Sequence, residues 1–372
     1  MPTGRLSFLL PFLFTVACGA GTAGSADQSD EAVTEAKVLF AGAAPAAKAK
    51  LPIVLEHGFA ASAEESSIWK FDGVVADLTA AGHVLVVADE VEPFSSAAAR
   101  AATMEKTLRN VKAQCEAIAG CDATGVHVIA HSFGGLHARE YIRLHPPSAA
   151  EGEGLPRVMS LTTISTPNRG TAIADFGLSI IGAFKEHPSL EAIAEADLNK
   201  LAGLVGRTFT KEELVSDPHI EEALHDLSEA NADAFAATHP PSPDVRYFTW
   251  AGVSENPNVL LHPLHPERIT QAMPADCGGA AYAFQSRAFA TDVILGAAHD
   301  VTGHFLSGLP NDGMATIASA KGLPGATFMG CIPADHLAEV GHTTAAKRAW
   351  TGFDHKTFYR YVAGSIAALE QR

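Results

Sequence analysis

Positive charge is scarce in this chain. Its 372 residues carry 26 Lys and Arg against 42 Asp and Glu, a formal net charge of −16. Neither nucleic acid nor an anionic membrane surface is therefore an electrostatic partner, and the acidic surface serves solubility. Long apolar runs are missing as well. Beyond the N-terminus no segment reaches the roughly 18 apolar residues that a membrane span needs. There is no internal repeat and no C-x-x-C pair, so a repeat architecture and a cysteine-ligated metal are not expected. Disorder is excluded from the other side: 47% of residues are hydrophobic and the mean hydropathy is +0.11, enough to bury a large core.

The N-terminus reads as an export signal, with Arg5, the apolar stretch Leu6 to Ala17, and then small residues. Thr15-Val16-Ala17-Cys18 resembles a lipoprotein processing site, which would make Cys18 the lipidated first residue and a membrane tether. A plain secretory signal cleaved among Ala20 to Ala26 is the alternative. The expected organisation is a signal over 1–17, a Gly/Ala/Ser/Asp-rich flexible tether over 18–36, and one folded domain over 37–372. Without Cys18, the cysteines are Cys115, Cys121, Cys277 and Cys331, an even set suited to an oxidising compartment. They allow three pairings. One joins Cys115 to Cys121 across the end of a helix and Cys277 to Cys331 across an insertion.

Short apolar runs predict strands at 51–56, 83–88, 125–130, 158–164, 245–251 and 325–330. Helices are expected at about 71–81, 96–118, 133–145 and 354–369. Strands alternating with helices imply an α/β fold, a parallel sheet covered on both faces, with its site at the carboxyl ends of the strands.

The most informative stretch is Val126 to Gly135, an apolar run breaking into Ala130-His131-Ser132-Phe133-Gly134-Gly135 before a helical pattern. That is the layout of a nucleophile elbow, a strained strand-to-helix turn that lifts a serine hydroxyl clear of the sheet. Ala130 and Gly134 are the small residues that such close backbones require. Upstream, Leu51 to Phe59 reads as a buried strand ending in His57-Gly58-Phe59. A loop of this kind offers the amide after its glycine to a developing oxyanion, so the expected donors are the backbone N–H groups of Phe59 and Phe133. His57 and His131 are expected only to bond loop backbone. Downstream, a strand runs into Thr166-Pro167-Asn168-Arg169-Gly170, followed much later by Asn311-Asp312-Gly313 and Asp335-His336-Leu337. The chain order is Ser, Asp, His.

With P-I-V-L-E-H-G-F, A-H-S-F-G-G, T-T-I-S-T-P-N-R-G, R-Y-F-T-W-A-G, P-N-D-G and D-H-L-A-E-V in order over residues 51–340, the chain resembles the true lipases of Gram-negative bacteria. The resemblance implies an α/β-hydrolase fold with a mostly parallel central sheet, helices on both faces and a helical lid or cap insertion. It implies a serine ester hydrolase of the triacylglycerol lipase kind, with Ser132 as nucleophile, His336 as general base and acid, and Asp312 orienting His336. The substrate would be a lipid or other ester, with no cofactor, and a folding helper is among the partners it allows. Short-chain esterase, polyester depolymerase and thioesterase are alternatives with the same three residues. A silent binding module and an acyltransferase are further ones.

The chain departs from the family at two places. Glu56 replaces an apolar residue before His57, and its charge would oppose an oxyanion unless turned away or paired. Ala338 stands where the family has an aspartate ligand for structural calcium. Glu339 and Asp276 are the remaining oxygen donors nearby, and the expectation is no metal. Asp300 is the main rival of Asp312, while His342 and His355 rival His336 and are expected to be solvated, like most of the 17 histidines. Asp335 is expected to face away. The insertion about 171–244 is the place of the family's lid, with Leu190 to Val205 on one helical face. A permanently packed cap is the other reading. A second insertion covers about 253–311.

Overall fold

A computed structural model describes residues 47–59, 70–90, 92, 94–186, 217–255, 277, 289–290, 295–304, 307–345, 348 and 353–371. The export signal, the tether, Cys18 and the predicted face Leu190 to Val205 lie outside the described residues, as does most of the second insertion.

In chain order the elements are β1 (Ile53–Glu56), α1 (Val74–Ala80), β2 (Val86–Ala88), α2 (Ala97–Glu116), β3 (Gly125–His131) and α3 (Gly134–Leu144). Then come α4 (Pro147–Ala150), β4 (Arg157–Ile164), α5 (Ala172–Glu186), α6 (Pro218–Leu227), α7 (Glu229–Thr238) and β5 (Arg246–Gly252). The chain continues through β6 (Ser254–Glu255), β7 (Phe289–Ala290), α8 (Gly296–Thr302), α9 (Ile317–Ala320), β8 (Thr327–Ile332) and α10 (His355–Ala367). Six strands form one sheet in the order β2-β1-β3-β4-β5-β8, all pairs parallel. Only β6 and β7 stand apart, as a small two-stranded ribbon.

Parallel strands buried on both faces need apolar residues pointing both ways, and alternation along β1 supplies them. Ile53 and Leu55 enter one core with Phe71, Val74, Trp250, Phe358 and Tyr359, on the side covered by α1 and α10. Val54 enters the other with Met104, Leu108, Val128, Ala138 and Tyr141, on the side covered by α2 and α3. Two of the four covering helices, α2 and α10, start on side-chain caps, which satisfy amides that have no partner in the first turn. Ser96 accepts from the Ala99 amide ahead of α2, and Asp354 from the Thr357 amide ahead of α10. At the strand ends opposite the site, Glu370 accepts from the Lys50 and Leu51 amides at 2.9 and 3.4 Å and faces His127 at 3.2 Å.

Of the three pairings open in the sequence, Cys115–Cys121 and Cys277–Cys331 are formed. Among the described residues, no helix is long and apolar enough to cross a membrane.

Candidate active site

β3 ends at His131, and the chain turns at once into α3. Ser132 sits at the turn with φ 58°, a left-handed conformation rarely adopted by a residue with a side chain. It persists because the surroundings over-determine it. The Ser132 amide donates to the Ile164 carbonyl at 2.9 Å, and the neighbouring backbones leave room for nothing else. A Cβ on Gly134 would lie 2.5 Å from the Glu56 carbonyl oxygen, and one on Gly58 would lie 2.7 Å from the Ser132 Cβ. The second contact places the His57-Gly58-Phe59 loop directly over the serine. Phe59 and Phe133 flank it, with ring centroids 6.5 Å apart.

Asp312 and His336 come from loops before and after β8, and two hydrogen bonds join them. The His336 amide donates to the Asp312 carbonyl at 2.9 Å, and His336 Nδ1 lies 2.6 Å from Asp312 Oδ2. The other carboxylate oxygen accepts from the Met314 and Ala315 amides at 2.8 and 2.7 Å, the work of the Asn-Asp-Gly turn. Burial pushes the Asp312 carboxyl up, but His336 and those amides outweigh it and hold it below its ordinary value. The ring of His131, one residue before Ser132, lies 4.4 Å from that of His336. Asp300 is buried in α8, and the hydrogen bond to His336 belongs to Asp312. Asp335 turns its carboxylate onto the Leu337 and Ala338 amides.

Several expectations need correction. His131 Nε2 lies 3.0 Å from Glu339 Oε2, a side-chain partner that the expectation did not include. Burial, then the neighbouring His336 and His57, drive its pKa well down, so it is a neutral imidazole. His355 is not solvated: it is buried with Nε2 2.9 Å from the Asp72 carbonyl. His342 is half-buried. Eight histidines among the described residues are buried. Glu56 is paired, with Oε1 3.2 Å from His137 Nδ1.

The residue whose place sequence reasoning missed is Glu339. It is fully buried, accepts from the Ser165 hydroxyl at 2.7 Å and faces His131, so it does not stand as a surface oxygen donor for calcium. Ser165 is itself left-handed, φ 47°, and its hydroxyl accepts from the Gly252 amide at 2.8 Å. Gly252 has to be glycine, since a Cβ there would meet Glu339 Oε1 at 1.7 Å. Burial, then Asp312, raises the Glu339 carboxyl well above its ordinary value. Donor atoms of His131, His336 and Glu339 lie within 4.8 Å of one another, a set that could in principle ligate a metal. Within that set Glu339 bonds His131 Nε2 and Ser165, and His336 Nδ1 bonds Asp312.

The helices of the expected lid region that the structure describes pack beside this site. Ala174 of α5, Ala223 and Leu227 of α6 and Phe235 of α7 share a core with Phe133.

A parallel sheet with a strained serine between its third strand and the next helix defines an α/β-hydrolase fold. A family profile for palmitoyl protein thioesterase matches residues 52–213. A triacylglycerol lipase from Pseudarthrobacter phenanthrenivorans is 32% identical over 131 residues, 35% of this chain and 37% of the relative. This chain thus matches little more than a third of that curated relative's length. Among solved structures, a metagenomic carboxyl esterase superposes with a TM-score of 0.54 at 17% identity, covering 87% of this chain and 76% of its own. The Staphylococcus hyicus lipase gives 0.52 at 17% identity, covering 87% and 97%. The fold is that of an α/β-hydrolase, and over about a third of its length the chain is similar to triacylglycerol lipases.

Proposed function

We propose that the protein is a serine carboxylic-ester hydrolase whose substrates are triacylglycerols and related acyl esters. The observation that carries this reading is the pairing of Asp312 with His336 Nδ1 at 2.6 Å beside a serine held at φ 58°. In the proposed cycle Ser132 Oγ attacks the ester carbonyl carbon while His336 Nε2 takes the hydroxyl proton. The carbonyl oxygen becomes an oxyanion held by the Phe59 and Phe133 amides. Collapse of the adduct breaks the ester C–O bond, and His336 returns its proton to the leaving alcohol. Water then repeats the sequence on the acyl-enzyme, releasing the fatty acid and restoring the serine. Asp312 stays ionised throughout, stabilises the imidazolium and fixes its tautomer.

Ser132→Ala is expected to lower kcat on nitrophenyl esters by about 10⁴-fold or more, with an unchanged melting temperature. Wild-type rates in that variant would overturn the assignment. A profile from two to sixteen acyl carbons then tests the substrate class, and a short-chain optimum without interfacial enhancement would exclude a lipase. A second reading, a long-chain acyl thioesterase, is favoured by the palmitoyl protein thioesterase match over residues 52–213. Activity on palmitoyl thioesters above that on oxygen esters of equal chain length would select it.

We further propose export, with Cys18 lipidated or the chain secreted. The apolar run from Leu6 to Ala17 supports it, and the two disulfides suit an oxidising compartment. The mass of the mature N-terminal peptide tests this: a diacylglyceryl Cys18 is expected for the lipoprotein, and an N-terminus retaining Arg5 would exclude both forms.

A further inference from the structure

A second buried cluster of charged groups lies behind the oxyanion loop, and the acyl-transfer steps above make no use of it. Arg100, on the first turn of α2, is fully buried. Its Nη1 donates to the carbonyl oxygen of Gly58 at 2.9 Å and to that of His57 at 3.3 Å. The same guanidinium lies over the ring of Phe133, 5.4 Å from its centroid. One side chain therefore touches the segments that carry both expected oxyanion donors.

A buried cation persists only when opposed, and here the opposition comes from three directions. Glu56 and Asp89 are the principal carboxyls acting on it, with Glu92 adding a smaller effect. Glu56 ends β1 and has Oε1 against His137 of α3. Asp89 follows β2, takes a hydrogen bond from the Thr107 hydroxyl of α2 and donates its amide to the Leu55 carbonyl at 2.9 Å. Burial, and then Asp89, raise the Glu56 carboxyl well above its ordinary value, so it keeps its proton. Burial, and then Arg100, keep His137 neutral. Burial lowers Arg100 to about 10, leaving it cationic at neutral pH. Glu56 thus adds no negative charge beside the oxyanion.

We infer that Arg100 is a positioning residue for the oxyanion hole, aiming the Phe59 amide at the reacting oxygen by gripping the carbonyl on the other end of the same peptide group. The Gly58 carbonyl and the Phe59 N–H belong to one planar unit, which is trans here, so they point in opposite directions. A guanidinium fixed on the oxygen fixes the direction of the N–H, and the His57 carbonyl does the same for the Gly58 amide. The positive charge also polarises the peptide in the sense that strengthens its donor end. Gly58 has no side chain to hold the loop against the serine, so the orientation must come from behind. The cluster of Glu56, Asp89 and His137 keeps the guanidinium in place.

This inference rests on the proposed acyl-transfer reading, and its test separates the two. The wild-type protein is first assayed on a soluble nitrophenyl ester and labelled with a fluorophosphonate. No turnover and no labelling at Ser132 would remove the proposed function itself. With an active wild type, Arg100→Met and Arg100→Lys are compared by kcat, KM and affinity for an arylboronic acid, which forms a tetrahedral adduct. Arg100→Met is expected to lower kcat about 10²- to 10³-fold, the usual loss for an oxyanion donor, with KM within about threefold. Boronate affinity should fall in step with kcat/KM. Arg100→Lys keeps the charge without the planar fork and should restore part of the loss. If Arg100→Met does not fold, Arg100→Lys decides: reduced kcat at unchanged KM with weakened boronate binding supports the inference. Wild-type kcat in either variant, or reduced kcat with unchanged boronate affinity, would overturn it.

Discussion

Charge in the site is decided residue by residue, and the contrast between Asp312 and Glu339 shows how. Both carboxyls are buried beside His336, and two buried like charges so close cannot both ionise. Asp312 has the closer histidine nitrogen and two amides, so it keeps its charge, whereas Glu339 is the neutral partner. A raised carboxyl ties stability to pH in a definite sense. The contribution of Glu339 is fully present below about pH 4.5, its ordinary value, and is lost as pH rises toward its elevated value in the fold. Above pH 4.5 the unfolded chain gives up the proton first, so each pH unit in that window costs about 1.4 kcal/mol. Glu339→Gln keeps the shape and removes the titration. Its melting temperature should gain on that of the wild type as pH is raised from about 5 to about 9. Parallel curves for the two proteins would show that Glu339 is ionised in the folded state.

At the scale of elements, the sheet and its long helices were legible because buried parallel strands are continuous apolar runs and long helices repeat their pattern over several turns. The expected strand at 125–130 is Gly125–His131, that at 158–164 is Arg157–Ile164, and the helix over 96–118 is Ala97–Glu116. Elements too short to show a period escaped. Ile317–Ala320 is one turn, Ser254–Glu255 and Phe289–Ala290 are two residues each, and Gly296–Thr302 lies in an insertion with no readable motif. The final helix stops at Ala367 and tightens into a 3-10 turn over Ala368–Gln371. In the candidate site, the hydrogen-bonded pair Asp312 and His336 was recognisable by its turns and chain order. Arg100 was not, because an arginine on a helix reads as solvent-facing until β1 and β2 deliver its carboxyls. Glu339 was visible as an oxygen donor, but its partners Ser165 and His131 lie 174 and 208 residues away in the chain.

On the scale of the whole molecule, the two disulfides act on very different lengths of chain. Cys115–Cys121 closes a loop with a sequence separation of 6, and Cys277–Cys331 one of 54. Loop-closure entropy alone assigns about 2 kcal/mol to the first and about 4 kcal/mol to the second. Replacing Cys277 and Cys331 by Ala should therefore lower the denaturation midpoint more than replacing Cys115 and Cys121. The reverse order would mean that chain entropy is not the governing quantity. The longer loop has another consequence. Asp312 lies inside it, and His336 follows its closing cysteine by five residues. A protease that severs any one peptide bond between Ala298 and Ala315 therefore produces no loose fragment: both new ends stay stitched to the parent polypeptide until a reductant reaches the sulfur bridge.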